Sequence, residues 1–305
     1  MQRFIMIRVL QAFVSIWVVS IIVFGLGRIT GDPTAILLPI DATEKERLEL
    51  RADLGLDQPI HVQYGRFVNN AFHGDFGSSI KWHGYSSMGI VMKRLPATLK
   101  LAGVAMLVAV GISLPVGIIS AVKRDSFFDY AGKIIALLGQ SLPAFWLGLV
   151  MMWVFAVQLD LVPTSGRVGW TSYFLPAISI GWFLTAALMR LVRSSMLEVM
   201  DSEYIKMARV KGLSETNVIW KHGLRNASIA PLTFFGIIFG NLLVGSVSIE
   251  TVYAWPGVGL LAYEAVLARD FPVMQAVVVV FAGIYITMNL IVDVFYAYLD
   301  PRIRY

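Results

Sequence analysis

Residues 101–122 read LAGVAMLVAVGISLPVGIISAV, 22 positions without Asp, Glu, Lys or Arg. A helix needs roughly 20 apolar residues to cross the hydrocarbon core of a bilayer. This run is apolar around its whole circumference rather than along one stripe, which suits lipid or a packed bundle. Working outward from it, five more charge-free runs follow the same rule: Val9–Gly27, Ile134–Leu159, Val168–Met189, Asn226–Ile249 and Phe271–Val292, of 19, 26, 22, 24 and 22 residues. Pro115, Pro143, Pro176 and Pro231 fall inside or at the edges of these runs. Membrane helices tolerate proline where neighbouring helices re-satisfy the freed carbonyls. The sequence therefore predicts an all-α, polytopic membrane protein with six transmembrane helices.

Composition agrees. Of 305 residues, 57% are hydrophobic and 15% charged, and the mean hydropathy is +0.71. Soluble domains carry about 25% charged residues. Disorder, a disulfide scaffold and an ordinary soluble enzyme are excluded as first readings. The chain has no cysteine, which removes disulfides, thiolate metal sites and cysteine nucleophiles. The first run has the basic start of a signal peptide (Arg3, Arg8). Its core exceeds an h-region of about 7–15 residues and no A-x-A-like site follows, so it reads as a retained helix.

Orientation follows from Lys and Arg in the short loops. With the N-terminus inside, segments 1–8, 123–133, 190–225 and 293–305 carry 14 Lys/Arg, whereas the short outer loops 160–167 and 250–270 carry only Arg167 and Arg269. The long outer segment 28–94 carries 8, balanced by 8 acids, and long loops translocate largely regardless of charge. Both termini are therefore expected in the cytoplasm. The net charge of +5 is mostly a topology signal. A nucleic-acid partner would need a basic patch with stacking aromatics, and the sequence has none. In segment 28–94, Thr43–Leu54 (TEKERLELRADL) reads as a helix with a Thr43/Glu46 capping box, ended by Gly55. Phe72–Trp82 (FHGDFGSSIKW) reads as a turn-rich return to the membrane.

Catalytic chemistry is missing. There is no G-x-x-x-x-G-K-[ST], no H-E-x-x-H and no G-x-S-x-G. His61, His73 and His83 lie in the outer segment, where they are either solvated or a loose metal site. Lys100 can snorkel from its helix end. A proton-coupled carrier usually shows an intramembrane Asp, Glu or His, and the spans lack one. Polar candidates are Gln140, Asn241 and Asn289, with Glu250 and Asp293 at span ends. They either line a pathway or bond between helices. The chain reads as a passage that draws its energy from elsewhere.

The stretch Glu203–Asn226 reads EYIKMARVKGLSETNVIWKHGLRN. Asp201 or Ser202 can cap a short helix over Tyr204–Lys211. On it Tyr204, Ile205, Met207 and Ala208 share one arc, while Lys206 and Arg209 point away. Gly212 sits where a left-handed residue would end the helix, and Ser214, with Glu215 in the first turn, starts another. Such a helix–Gly–helix either works as a lever between a soluble partner and the spans or is a solvated basic loop.

This stretch resembles the EAA loop of ABC-importer permease subunits, in the form found in the B-type subunit of the dipeptide/oligopeptide/nickel permeases. Aligned on Gly212, Ala208 matches the second alanine of E-A-A-x3-G-x9-I-x-L-P and Leu224 its leucine. Lys206 stands at the glutamate and Arg225 at the proline. Ala208–Leu213 and His222–Asn226 match the A-R-x-K-G-L and H-x-L-R-N of the peptide branch. Gly31-Asp32-Pro33, Leu54–Pro59 (LGLDQP), Gly74–Gly77 (GDFG), Leu95–Thr98 (LPAT), Glu250–Gly259 (ETVYAWPGVG), Arg269–Pro272 (RDFP), Asn289–Asp293 (NLIVD) and Asp300–Tyr305 (DPRIRY) follow in order.

The resemblance implies a type I ABC importer transmembrane domain. Residues 1–93 would be an N-terminal helix plus periplasmic loop, 94–293 the permease domain and 294–305 a cytoplasmic tail, in the cytoplasmic (inner) membrane of a bacterium. Its partners would be a homologous C-type permease subunit, two cytoplasmic ATPase subunits or domains, and a periplasmic or lipid-anchored substrate-binding protein. ATP and Mg would sit on the partners, with no cofactor or metal in this chain. Coupling residues would be Glu203, Tyr204, Lys206, Ala208, Arg209, Lys211, Gly212, Leu213, His222 and Leu224. Gln140 and Asn241 are pathway candidates. Glu250, Trp255, Arg269 and Asp270 are candidates for contact with the binding protein. The cargo would be a peptide or a related small solute such as glutathione or a nickel chelate. A self-sufficient channel or secondary carrier, and a membrane enzyme, are the competing classes.

Overall fold

The computed structural model describes residues 2–29, 34, 38, 42–53 and 55–299, without the side chains of residues 2–4, 29, 233, 235–237, 239–241, 243–245 and 295–299. The Gly31-Asp32-Pro33 and Asp300–Tyr305 blocks, Leu54, and the side chain of Asn241 lie outside this description. Among the described residues there is no strand, only an isolated bridge between Ser78 and Ser86.

Most of the charge-free runs lie on helices that overrun them. Helix α1 covers Gln2–Ile29, and α4 covers Ser87–Val122, 36 residues that begin well before Leu101. Between them lie α2 (Glu44–Asp53) and α3 (Ile60–Phe72). The third run breaks into α5 (Phe127–Ser141) and α6 (Ala144–Met151, continued as a π-turn to Gln158), which meet at 107°. This corrects the expectation of one continuous span. Pro143 has no N–H to give and forces Leu142 out of the helical region, to φ −91°, ψ 127°. The Ser141 hydroxyl also bonds back to the Leu137 carbonyl at 2.8 Å, a contact that bends helices.

Helix α7 (Phe174–Met200) follows a 3-10 turn at Thr171–Tyr173 and continues past Met189 through Arg190, Arg193 and Glu198. The cytoplasmic-loop candidate forms α8 (Glu203–Val210), α9 (Glu215–Asn217, extended by a π-turn to Gly223) and α10 (Leu224–Ala227). Then come α11 (Ile229–Val252), α12 (Val258–Leu267) and α13 (Phe271–Leu299). Among the described residues, α1, α4, α7 with its 3-10 turn, and α13 are long and apolar enough to cross a membrane, and the bent α5–α6 pair makes a fifth crossing if counted as one. The remaining run lies on the 24-residue α11.

The chain divides into two units. The first comprises residues 97–260 and 288–299. Its core joins Leu101, Ala105 and Ala109 of α4, Leu175, Ile180 and Leu184 of α7, Leu242 and Ile249 of α11, and Trp255. Small residues make the packing close: a Cβ on Gly181 would fall 2.9 Å from the Ala105 carbonyl oxygen. In lipid, such van der Waals contact replaces the hydrophobic effect as the drive for helix association. An ion pair ties α5 to α7. Buried Asp129 accepts Arg193 Nε at 2.6 Å, Arg193 Nη2 at 2.8 Å and Lys133 Nζ at 2.9 Å.

The second unit comprises residues 2–96 and 261–287. In it α1 meets α3, with Ser20 Oγ 2.8 Å from the Tyr64 hydroxyl and Phe24 edge-on to Tyr64 at a centroid distance of 5.4 Å. Helix α2 has its capping box: the Thr43 N–H donates to Glu46 Oε2 at 2.8 Å and the Glu46 N–H to Thr43 Oγ1 at 3.4 Å. These bonds hold the Glu46 carboxyl below its ordinary pKa. Gly55, at φ +64°, follows the helix as expected.

Candidate functional site

The loop between α7 and α11 is a folded unit, built around one glycine. Ser202 takes the cap position of α8, with extended backbone (φ −72°, ψ 152°). Ile205 and Ala208 are buried against Val218 and, behind them, Val199 and Met200 at the end of α7. Tyr204 and Met207, expected on the same arc, stay 44% and 55% exposed. An eight-residue helix seated on one side buries only its innermost line, so the predicted apolar arc divides into a seat and a free edge.

Gly212 closes the helix in the left-handed region, at φ +78°. Its N–H donates to the Arg209 carbonyl at 2.9 Å, and the Leu213 N–H reaches back to the Ala208 carbonyl at 3.3 Å. These are the two bonds of a Schellman motif. Ser214 then caps the next helix, its hydroxyl accepting the Asn217 N–H at 3.5 Å. Two side-chain links brace the turn. Arg209 Nε donates to Glu215 Oε1 at 2.8 Å, and Asn226 Nδ2 donates to the Tyr204 hydroxyl at 2.8 Å. Lys206 bonds Glu203 at 2.8 Å, and that carboxylate raises its pKa. Lys211 is exposed, while His222 and Leu224 are half-buried, Leu224 against the cluster of Met196 and Ile118. The free edge of α8 holds Tyr204, Met207 and Val210, and Leu213 and Trp220 beyond it are exposed as well. Thus α8 is packed on the end of α7, bonded to α9 and α10, and presents an apolar edge.

A second knot joins two blocks that the sequence reading kept apart. Buried Glu250 accepts the Thr98 hydroxyl at 2.8 Å and the Leu260 N–H at 3.0 Å, while Thr98 Oγ1 accepts the Val258 N–H at 2.8 Å. The Trp255 indole N–H donates to the Ala97 carbonyl at 3.2 Å. The Tyr253 hydroxyl donates to the Gly148 carbonyl at 2.8 Å and its own carbonyl accepts the Gly166 N–H at 2.8 Å. A Cβ on Gly257 would come within 2.3 Å of Glu250 Oε2, so the loop can fold over the carboxylate only with glycine there. The LPAT and ETVYAWPGVG blocks are therefore two sides of one knot. Thr98 and Tyr253 were not singled out, although both lie inside motifs that were.

In the other unit, buried Asp270 takes the Ser79 hydroxyl, the Lys81 N–H at 3.0 Å and the Val273 N–H at 3.3 Å. It pins the turn after GDFG and caps α13. Of the four residues expected to meet a docked protein, Glu250, Trp255 and Asp270 are fully buried and only Arg269 is exposed, at φ +54°. Gln140 is half-buried, one residue from the end of α5, and makes no hydrogen bond among the described residues. His61, His73 and His83 are exposed, and the described residues contain no group of three His, Cys, Asp or Glu placed to hold a metal.

The described residues thus form a helical protein with several helices long and apolar enough to cross a membrane, carrying a braced helix–glycine–helix between α7 and α11. The chain belongs to the binding-protein-dependent transport system inner membrane component family, whose model matches residues 113–305; the companion N-terminal model of such membrane components matches residues 1–102. It is similar to the glutathione transport system permease protein GsiC of Salmonella paratyphi A, with 40% identity over 306 residues and full coverage of both chains. It is likewise 41% identical over 315 residues, with full coverage of both, to a "putative peptide transport system permease protein" of Brucella abortus. A solved amino acid ABC transporter shares the fold, with a TM-score of 0.53 at 15% identity, covering 70% of this chain and 94% of that one. The protein is a permease subunit of an ATP-driven ABC importer, and ATP hydrolysis belongs to partner subunits.

Proposed function

We propose that this chain forms half of the pathway for a peptide or glutathione-like solute, paired with a homologous C-type permease subunit, with both termini in the cytoplasm. The observation that carries the coupling role is the Schellman turn at Gly212. It makes α8 a rigid piece whose buried side is fixed to the end of α7 and whose Tyr204 is bonded to Asn226 ahead of α11. A push on the free edge therefore reaches two membrane helices. ATPase closure and opening would bias this element between inward- and outward-facing states of the pathway.

The cargo class rests on the relatives named for glutathione and peptide transport. Gln140, unbonded beside the break in the third crossing, is our pathway residue; Asn241 is retained from sequence alone. Residues 1–93 would be the N-terminal transmembrane helix and periplasmic loop, 94–293 the permease domain and 294–305 the cytoplasmic tail. Arg269 would touch the docked binding protein. Glu250, Trp255 and Asp270 would act by holding the loops that meet it. The membrane is the bacterial inner membrane.

Cross-linking tests the coupling role. A cysteine at Val210, which is 82% exposed, should cross-link to an ATPase partner in the assembled complex, with a yield that changes on adding ATP. An intact complex in which Val210→Cys gives no cross-link would overturn it.

A further inference from the structure

Beside the Asp129–Arg193 bridge, a cavity of about 270 Å³ opens in the first unit, among α4, α5 and α7. Its polar lining is Ser120, Lys133, Arg190 and Arg193, and its apolar lining includes Leu137 and Met189. Positive charge is in excess. Asp129 is shared between Arg193 and Lys133, and the exposed Asp125 reaches Lys133 only at 4.0 Å. Arg190 is exposed and makes no ion pair or hydrogen bond among the described residues. Next to these cations, α5 shows an apolar stripe: Phe127, Tyr130, Ile134 and Leu137, exposed by 80, 55, 59 and 68%. A bound group must therefore be anionic at one end and apolar at the other.

We propose that this cavity binds the phosphate headgroup of an anionic phospholipid, with Lys133, Arg190 and the free edge of Arg193 on the phosphate and the acyl chains along the α5 stripe. Basic pockets between membrane helices on the cytoplasmic side suit such headgroups. A free phosphate would leave Leu137, Met189 and the stripe uncovered. The proposed orientation decides only which leaflet supplies the lipid. Lipid retention is read without transport, so failure here leaves the permease assignment standing.

The test is native mass spectrometry of the assembled complex in detergent with equal phosphatidylglycerol and phosphatidylcholine. Phosphatidylglycerol should be retained preferentially. Arg190→Ala and Lys133→Gln should each lower that retention about fivefold, the weight of one basic residue at an anionic surface. Neither removes the Asp129–Arg193 bridge. Arg225→Ala, at an exposed basic residue outside the cavity, should change nothing, and millimolar inorganic phosphate should not displace the lipid. Equal retention of both lipids, an unchanged preference in the two cavity variants, or an equal loss in Arg225→Ala would overturn the proposal. So would displacement by inorganic phosphate, which marks a free-anion site. Weakened subunit assembly in Arg190→Ala with lipid retention intact would overturn it too, by assigning the cations to an acidic partner chain.

Discussion

A Cβ on residue 212 would meet no atom within 4 Å, yet the position requires glycine, because its φ is +78°. The constraint is entirely in the backbone. An ordinary side chain in the left-handed region costs about 1–2 kcal/mol, and a β-branched one is a worse misfit. Gly212→Val should therefore break the two bonds of the turn and let α8 leave its seat on Val218. The membrane crossings do not depend on that turn. We expect normal membrane levels, strongly reduced uptake in proteoliposomes, and ATP hydrolysis that no longer responds to loaded binding protein. Gly212→Ala should be milder. If the loop were only a solvated surface, both variants would transport normally, since such changes usually shift stability by under about 0.5 kcal/mol. Wild-type uptake by Gly212→Val would remove the lever from this loop.

Among the elements, Thr98, on the side of α4, does for the end of α11 and the start of α12 what Gly212 does for α8. Its hydroxyl donates to Glu250 and accepts from the Val258 N–H, all within a buried knot. Thr98→Val keeps the shape and removes both bonds. Each buried polar group left unsatisfied costs about 1–3 kcal/mol, so the loss of both bonds should cost about 2–6 kcal/mol. It should show as a lower Tm of the detergent-purified complex, with Thr98→Ser near wild type; an unchanged Tm for Thr98→Val would refute this account of the knot. The elements themselves were mostly legible. Charge-free runs located the long apolar helices, four or five of which can cross a membrane, and Thr43, Gly55, Gly212 and Ser214 marked helix ends, because caps and left-handed turns are local chemistry. The break at Pro143 was not legible, since proline inside an apolar run is equally compatible with a mild kink. Nor were the links between distant residues. Asp129 and Arg193 read as two loop charges, 64 positions apart, and Thr98 and Glu250 as two unrelated motifs, 152 apart. Burial of Asp270 and Glu250 was likewise hidden, since a charge at a span end reads as exposed until its partners arrive.

For the whole molecule, orientation carries the functional argument, because a coupling loop on the wrong side of the membrane couples nothing. The sequence evidence is the count of 14 Lys/Arg in the presumed inner segments against single arginines in the short outer loops. That asymmetry orients membrane proteins through their short loops. The chain lacks cysteine, so one introduced thiol reports one position. Ser78 and Ser214 are both exposed, which removes burial as a reason for either thiol to stay silent. In intact cells with a permeabilised outer membrane, Ser78→Cys should label with an impermeant thiol reagent and Ser214→Cys should not. After the inner membrane is opened, both should label. The reverse pattern in intact cells would place α8 outside, beyond the reach of an ATPase, and would place the Arg190 cavity in the opposite leaflet. Labelling of both in intact cells would mean that the reagent had crossed the membrane, and a control thiol on a cytoplasmic protein excludes that. With the control silent, Ser78→Cys labelled and Ser214→Cys unlabelled, the free edge of α8 faces the compartment where ATP is hydrolysed.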